Sequence, residues 1–294
     1  MSYSDKIDLH MHTNVSDGTD LPLGIVKCVK SAGITLFSVT DHDAIKGCSA
    51  IEKSLSEDDP AFIFGVEFSC KDEDGKYHIL GYGYDPQSPS IREIVDTAHN
   101  LRMKKFSKRL DFLEKEFGFI FSAQDREGLF ALNNPGKPHI ANLMVKYGYA
   151  QTKEIAIENY INKFSVRSEY IRPETAISAI LDAGGIPVLA HPSYGCGDEL
   201  IIGEDMDSRL KKLIGFGLKG VEAFYSGFTP PLQKEILAFA EKYRLYVTAG
   251  SDYHGSNKLV LLGDTNLLAK SEYPEGLKRF LKDVKIYFPK RSDK

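Results

Sequence analysis

Histidines and carboxylates recur along this chain in a pattern that could assemble one metal centre. Six of the eight histidines fall at or just beyond the C-terminal ends of segments that read as β-strands: His10, His12, His42, His78, His191 and His254. Three carboxylates stand beside them, Asp17, Glu67 and Asp252. Loops leaving the strands of β/α folds converge at that edge and gather the active site there. Imidazole nitrogens mixed with carboxylate oxygens suit manganese, iron or zinc, whereas an all-oxygen set would suit magnesium or calcium.

The fragments differ in what each could mean alone. His10 and His12 alternate along an extended segment, so both rings project to one face and can reach one ion; two surface or hydrogen-bonded histidines would look the same. Asp17 follows in the turn-rich stretch 14–20. His42 ends a strand between Asp41 and Asp43. One of these aspartates could orient the imidazole from behind, and Asp43 could also cap the next helix. Glu67 lies inside an apolar strand, where an ionised carboxylate costs several kcal/mol unless it is paired or ligated; a salt bridge is the plainer alternative. His78 opens the facing strand. His191 follows the apolar run 186–190 and by itself would read as a core histidine. Asp252 and His254 sit among glycines that permit close backbone approach. Their joint appearance at successive strand ends points to metal chemistry.

Positioning these groups requires a β/α framework. Strand-like runs at 6–12, 34–40, 62–70, 77–84, 186–190, 220–225 and 245–249 alternate with helical periodicity at 21–32, 44–55, 174–183, 208–216 and 231–243. Asp72-Glu73-Asp74-Gly75 reads as a hairpin turn. The repetition implies an α/β fold with a mostly parallel sheet, open or closed into a barrel. From about 90 to 167 the patterns are nearly all helical. The expected organisation is therefore a barrel from residues 1–89 and 168–294 with an inserted small helical domain, 90–167, capping its mouth. Within the insert, Arg102, Lys104, Lys105, Lys108 and Arg109 read first as the solvated face of a long helix and second as a surface for an RNA backbone. His99 reads as ordinary. Lys137 and His139 in the insert and Arg172 after it are candidates for substrate binding, although Lys137-Pro138 also suits a helix start and Arg172 a surface charge.

With 42% hydrophobic and 27% charged residues in 294, and a net charge of −4, the chain has the balance of a globular protein and not of one that coats nucleic acid by bulk charge. The polar N-terminus leaves no room for a signal peptide, and no apolar run approaches the ~20 residues of a membrane span. Cys28, Cys48, Cys70 and Cys196 are widely separated and read as reduced thiols in a cytoplasmic protein. Neither a membrane nor a stable protein partner is implied.

The motifs Asp8-Leu9-His10-Met11-His12-Thr13 with Ser16-Asp17-Gly18, Thr40-Asp41-His42-Asp43, Gly65-Val66-Glu67, His78-Ile79-Leu80-Gly81-Tyr82, Ala190-His191-Pro192 and Gly250-Ser251-Asp252-Tyr253-His254-Gly255 resemble, in order, those of the PHP (polymerase and histidinol phosphatase) family. The resemblance implies a distorted (β/α)7 barrel with two or three divalent metals at its C-terminal face, manganese first, iron or zinc as alternatives. It implies that His10, His12, Glu67 and Asp252 hold one metal, that Glu67 bridges to a second completed by His78 and His191, and that Asp17, His42 and His254 hold a third. A metal-activated hydroxide would then attack phosphorus. The insertion containing Lys137-Pro138-His139-Ile140-Ala141 resembles the subgroup of nucleoside 3′,5′-bisphosphate phosphatases and 5′–3′ exoribonucleases, whose substrates are a small nucleotide or a short 5′-phosphorylated RNA. Relatives often carry arginine where this chain has Lys137, which offers a charge without a bidentate fork. The competing expectations are a histidinol-phosphate phosphatase and, outside enzymes, a metal-sensing or structural metal-binding protein.

Overall fold

The computed structural model describes residues 6–165, 169–195, 199–268 and 272–289. Seven strands lie in sequential order in one sheet: β1 (Ile7–Asp8), β2 (Leu36–Val39), β3 (Ala61–Lys71), β4 (Lys76–Tyr82), β5 (Ile186–Leu189), β6 (Gly220–Tyr225) and β7 (Tyr246–Gly250). The chain beyond β1 closes this sheet into a nearly complete barrel. The Leu9 amide donates to Ala249 O at 2.9 Å, Asp252 to His10 O at 2.8 Å and His12 to Tyr253 O at 2.8 Å. The first strand is thus shorter than the 6–12 run suggests, because from Leu9 onward the backbone pairs across the seam with the residues around β7.

Four neighbouring pairs are parallel, while β4 runs antiparallel to both β3 and β5. The tight turn at 72–75 dictates this, since a connection so short can only return antiparallel. Its closing hydrogen bond runs from the Asp72 amide to Gly75 O at 3.0 Å. The reversal has a functional consequence: β4 begins where the other strands end, so His78 stands at the same mouth as the other histidines. β2 and β3 are buried almost throughout, the near-continuous apolar pattern of strands covered on both faces.

Helices α1 (Pro22–Ser31) and α2 (Lys46–Ser54) follow β1 and β2. Between β4 and β5 come α3 (Pro89–Phe117), α4 (Ala123–Phe130), α5 (Lys137–Lys146), α6 (Lys153–Asn159) and α7 (Pro173–Asp182); α8 (Gly203–Gly215), α9 (Pro230–Lys242) and α10 (Glu275–Asp283) complete the set. Local chemistry sets several ends. Ser122 Oγ accepts the Asp125 amide to start α4, Thr152 does the same for Ile155 at α6, and Gly118, at φ +70°, ends α3. Helix α3 has 29 residues, about 43 Å at 1.5 Å per residue, and serves two cores. Ile91, Ile94 and Ala98 join the barrel core, whereas Phe106, Leu110 and Leu113 pack with Phe121, Ile140, Met144 and Ile161 in a separate cluster. The expected seam at 167/168 and Cys196 lie outside the described residues; Cys28, Cys48 and Cys70 are free thiols, Cys28 exposed and the other two buried. Among the described residues no helix is long and apolar enough to cross a membrane.

One close approach ties the barrel seam to the histidines. A Cβ on Gly250 would stand 2.2 Å from His10 Cβ and 2.5 Å from Glu222 Oε1. Gly250→Ala should therefore cost about 1–3 kcal/mol by overpacking, lower the calorimetric melting midpoint by a few degrees and displace His10. An unchanged midpoint would show that the seam yields freely.

Candidate metal centre

Glu67, mid-strand in β3 and 1% exposed, is the point on which the other side chains converge. Its Oε1 lies 2.8 Å from His78 Nδ1 and 3.4 Å from His191 Nε2; its Oε2 lies 3.3 Å from His10 Nε2 and 3.2 Å from both His12 Nε2 and His42 Nδ1. The loop after β2 continues to pair with β3, the Asp43 amide donating to Glu67 O at 2.9 Å, which sets His42 beside Glu67. Likewise the Ala190 amide donates to His78 O at 3.0 Å, which brings His191 Nε2 to 3.2 Å from His78 Nδ1. Asp252 Oδ1 lies 3.5 Å from His10 Nε2, 3.3 Å from His12 Nε2 and 3.4 Å from His254 Nδ1. Asp17 completes the arrangement, with Oδ1 3.4 Å from His254 Nε2 and Oδ2 3.9 Å from His42 Nε2. The structure brings all nine side chains singled out from the sequence to one end of the barrel.

The donor set fits divalent cations. His10 Nε2, His12 Nε2, His42 Nδ1, Asp17 Oδ1 and both Glu67 oxygens are buried without a hydrogen-bond partner, and each such atom would otherwise forfeit about 1–3 kcal/mol. Separations of 3.2–3.3 Å between these nitrogens and Glu67 Oε2 match the edges of a coordination shell with bonds of about 2.0–2.2 Å. Three groups could each surround an ion: His12, Asp17, His42 and His254; His10, His12 and Glu67; and His42, Glu67 and His78. Backbone strain collects here as well. Asp43, His191 and Asp252 hold φ of 53°, 27° and 58°, conformations that cost of order 1–3 kcal/mol each and persist only where the surroundings enforce them.

A second layer of side chains holds the first. Glu222 in β6 is fully buried; its Oε1 lies 2.9 Å from His10 Nδ1, and its Oε2 accepts the His191 amide at 2.9 Å. Asp41 accepts from the Thr13 amide, Thr13 Oγ1 and Ser16 Oγ at 2.7–2.8 Å, and Ser16 Oγ lies 3.4 Å from His12 Nδ1. Asp43 is not the cap of α2, whose cap position is Ile45; it accepts from Arg102 Nε at 2.8 Å and the Ser69 amide at 3.0 Å. Asp252 divides its oxygens. Oδ1 faces the histidines, while Oδ2 is bound by Lys258 Nζ and lies 3.3 Å from Tyr225 Oη. Glu222 and Lys258 were not among the candidates from the sequence. Glu222 carries the signal that marked Glu67, a carboxylate inside an apolar strand; Lys258, in an irregular segment past β7, carries none.

A cavity of about 240 Å³ is lined by Asp17, His42 and His78 together with Lys76, Arg102, Lys105, Arg109, Lys137 and Tyr170. The reading of the 102–109 cluster as a solvated face needs correction. Arg102, Lys105 and Arg109 are 7%, 8% and 6% exposed, because that face of α3 turns toward the mouth of the barrel, and only Lys104 and Lys108 face solvent. Among the three substrate candidates, Lys137 lines the cavity, with Nζ 2.6 Å from Asn162 Oδ1. His139 instead accepts the Gly136 amide on Nδ1 at 3.0 Å, and burial lowers its pKa. Arg172 is exposed, pairs with Glu73 and Glu174, and does not line the cavity. His99 bonds Asn134, whose amide donates to the carbonyls of His42 and Asp43 at 3.0 Å each.

A model of the PHP domain matches residues 8–171. Over 273 residues the chain is 28% identical to a 5′-3′ exoribonuclease of Haemophilus influenzae, spanning 92% of this chain and 97% of that one. It is 25% identical over 261 residues to a 3′,5′-nucleoside bisphosphate phosphatase of Chromobacterium violaceum, spanning 85% and 87%. A solved structure described as a metal-dependent phosphoesterase, from Bifidobacterium adolescentis, superposes with a TM-score of 0.76 at 26% identity, covering 94% of this chain and 96% of that one.

Two predictions arise from the electrostatics. Burial opposes charge on His12, but its bonds to Asp252 and Glu67 and the charges of Glu67 and Asp17 prevail and raise it to about 9. A ligating imidazole must be neutral, so without metal His12 holds a proton at pH 7 that an ion displaces. Manganese affinity should rise as pH climbs toward about 9, and titrations in buffers of different ionisation enthalpy should show proton release; buffer-independent heats would contradict this. Glu222→Gln keeps the shape but removes the charge that orients His10 and supports His191, and should weaken manganese affinity about 10- to 100-fold in the same calorimeter.

Proposed function

This chain belongs to the PHP domain family and is a hydrolase of phosphoester bonds, and from that premise we propose that its substrate is a nucleotide bearing two phosphates, either a nucleoside 3′,5′-bisphosphate or a short 5′-phosphorylated RNA. The observation that carries the reading is the cavity itself, which joins Asp17, His42 and His78 to a wall bearing Lys76, Lys105, Arg109 and Lys137. Both substrate classes offer one phosphoester for the ligand cluster and further anionic charge for that wall. At about 240 Å³ the space lies just below the usual range of small-molecule sites, roughly 300–1,000 Å³, which suits a single nucleotide unit. Histidinol phosphate carries a protonated amine that these cations would repel.

In this reading His10, His12, Asp17, His42, Glu67, His78, His191, Asp252 and His254 hold two or three divalent ions, manganese first, with iron or zinc as alternatives. Such ions, when bound, lower the pKa of water toward about 7 and offset the charge of phosphoryl oxygens. The chain's own groups supply placement. Glu67 presents one oxygen to His10, His12 and His42 and the other to His78 and His191, so a single carboxylate sets the spacing of the ligand groups. Glu222 fixes His10, and Asp41 acts on His12 through Ser16. Lys137 lines the same cavity as Asp17, and its neighbour Gly136 packs on that carboxylate, where a Cβ would lie 2.6 Å from Asp17 Oδ2; in this reading Lys137 holds a phosphate against the cluster. The proposal includes a cytoplasmic setting, where the thiols of Cys28, Cys48 and Cys70 stay reduced.

The test is turnover by the manganese-loaded protein on a matched panel: a nucleoside 3′,5′-bisphosphate, a 5′-mononucleotide, a short 5′-phosphorylated RNA and histidinol phosphate. The bisphosphate or the RNA should be preferred, and preference for histidinol phosphate would sink the reading. Asp17→Ala and His191→Ala should each abolish turnover while the fold persists by circular dichroism; near-normal rates in either would remove that residue from the metal centre.

A further inference from the structure

Three of the nine candidate ligands are held by contacts of a different kind from the rest. Within the barrel, Glu222 bonds the His10 ring and the His191 amide, the Ala190 amide bonds His78 O, and Lys258 and Tyr225 face the outer oxygen of Asp252. His42, Asp17 and His254 are reached instead from the segments between β4 and β5. Asn134, 2% exposed in the loop between α4 and α5, donates to the carbonyls of His42 and Asp43 at 3.0 Å each. Two residues on, the Gly136 backbone lies against the Asp17 side chain, where a Cβ would stand 2.6 Å from Oδ2 and 3.0 Å from Cβ. From α6, Lys153 Nζ donates to Ser256 O at 2.8 Å, and from α5, Asn142 Nδ2 donates to Asn257 Oδ1 at 3.4 Å. Asn257 in turn donates from its side chain to Asp17 O at 2.9 Å and from its amide to His254 O at 3.3 Å.

These three residues, with His12, form one of the groups that could surround an ion, and that group is the looser one. Asp17 stands 3.4–3.9 Å from the nitrogens of His12, His42 and His254, whereas Glu67 stands 2.8–3.4 Å from its five. The cause lies in the supporting elements. Glu67 is part of β3, so the sheet fixes its distance from its neighbours. Asp17, His42 and His254 all lie outside the named strands, on three separate loops. Ligands on loops are placed less exactly than ligands on strands, and ordering them on binding costs affinity unless other contacts have ordered them already. The contacts that do so here come from Asn134, Gly136, Asn142 and Lys153, with Asn257 passing the grip to Asp17.

We propose that the ion held by Asp17, His42 and His254 is the variable one of the centre, and that the segments between β4 and β5 control its occupancy by fixing the three loops that present its ligands. Asn134, Gly136, Lys153 and Asn257 are positioning residues for this ion, while the ions that share Glu67 are set by the barrel. The inference rests on the assignment of the nine ligands to divalent ions made above, and goes beyond it by naming which ion depends on contacts from outside the barrel.

The experiment counts manganese bound per chain by equilibrium dialysis and measures each affinity by calorimetry, on the full chain without substrate. The wild-type protein should take up three ions, the third more weakly than the other two. In Gly136→Ala the new Cβ must push the Asp17 carboxylate aside, so the third ion should weaken at least about tenfold while the first two bind as in the wild type. Lys153→Met should weaken the same ion by a smaller factor, Lys153→Arg should restore it, and the melting midpoint of the metal-free protein should not move in either. A third ion bound as tightly in Gly136→Ala as in the wild type would overturn the inference. So would an equal weakening of all three, which would mark these residues as general supports of the fold. A wild-type protein that saturates at two ions would overturn it too and leave the shared Glu67 centre in place. No uptake at all would sink the metal assignment itself, and this inference with it.

Discussion

The burial of Glu67 is the constraint around which the rest is arranged. A carboxylate 1% exposed in the middle of a strand whose other residues are mostly apolar is tenable only if cationic or metal partners surround it. Five imidazole nitrogens do so, from the segments that follow β1, β2 and β5 and from the start of β4. Each segment reaches Glu67 only because the barrel brings these ends to one mouth. Burial would raise the carboxyl's pKa, yet the surrounding imidazoles hold it well below its usual value, although burial lowers the pKa of His42 and His78 themselves. Without an ion, that compensation draws on protons carried by His10 and His12, both shifted upward. The centre is thus charge-balanced in two ways, by protons or by metal.

The surrounding charge favours metal. Asp8, Asp17, Asp41, Asp43, Glu67, Glu222 and Asp252 are all buried at this end of the barrel, and among fixed cations Arg102 answers Asp43 and Lys258 answers Asp252. Asp8 is instead satisfied by neutral donors, the amides of Ser251 and Gly263 and the Ser251 hydroxyl, and burial raises it to about 6. An array so rich in anions makes sense as a divalent-cation site. The separate roles of the Asp252 oxygens show the same logic at one residue. Lys258 and Tyr225 occupy the outer oxygen and leave the inner one free to ligate.

Much of this was legible from residue types and their positions. The histidines stood out because strand ends are recognisable from apolar runs, and Glu67 because a lone carboxylate in such a run needs an explanation. Glu222 meets the same criterion between Val221 and Ala223, so it was legible on the same ground. The antiparallel course of β4 was also readable, since the turn at 72–75 was, and it alone explains how His78, at a strand's beginning, joins residues at strand ends. The charged face of α3 was not readable. Spacing places Arg102, Lys105 and Arg109 together, but whether that face meets water or protein depends on the tertiary position of a helix 29 residues long, and no local pattern encodes that. Lys258 was invisible for a similar reason: its partner is fixed by loop closure and not by periodicity.

The helices between β4 and β5 and the ligand cluster are mechanically one object at their contact. Asn134 donates to the carbonyls of His42 and Asp43, Arg102 ties α3 to Asp43 and Ser69, and Lys153 reaches Ser256 O, two residues past His254, at 2.8 Å. Asn257 in turn donates to Asp17 O at 2.9 Å. Two of the loops that carry candidate ligands, those of His42 and His254, are therefore gripped by the segments between β4 and β5. Any shift of α3 or of the loop between α4 and α5 moves the segment that carries His42 and Asp43, the latter already held at positive φ. In such an arrangement the cationic face of α3 and the ligand cluster are coupled through the Arg102–Asp43 pair.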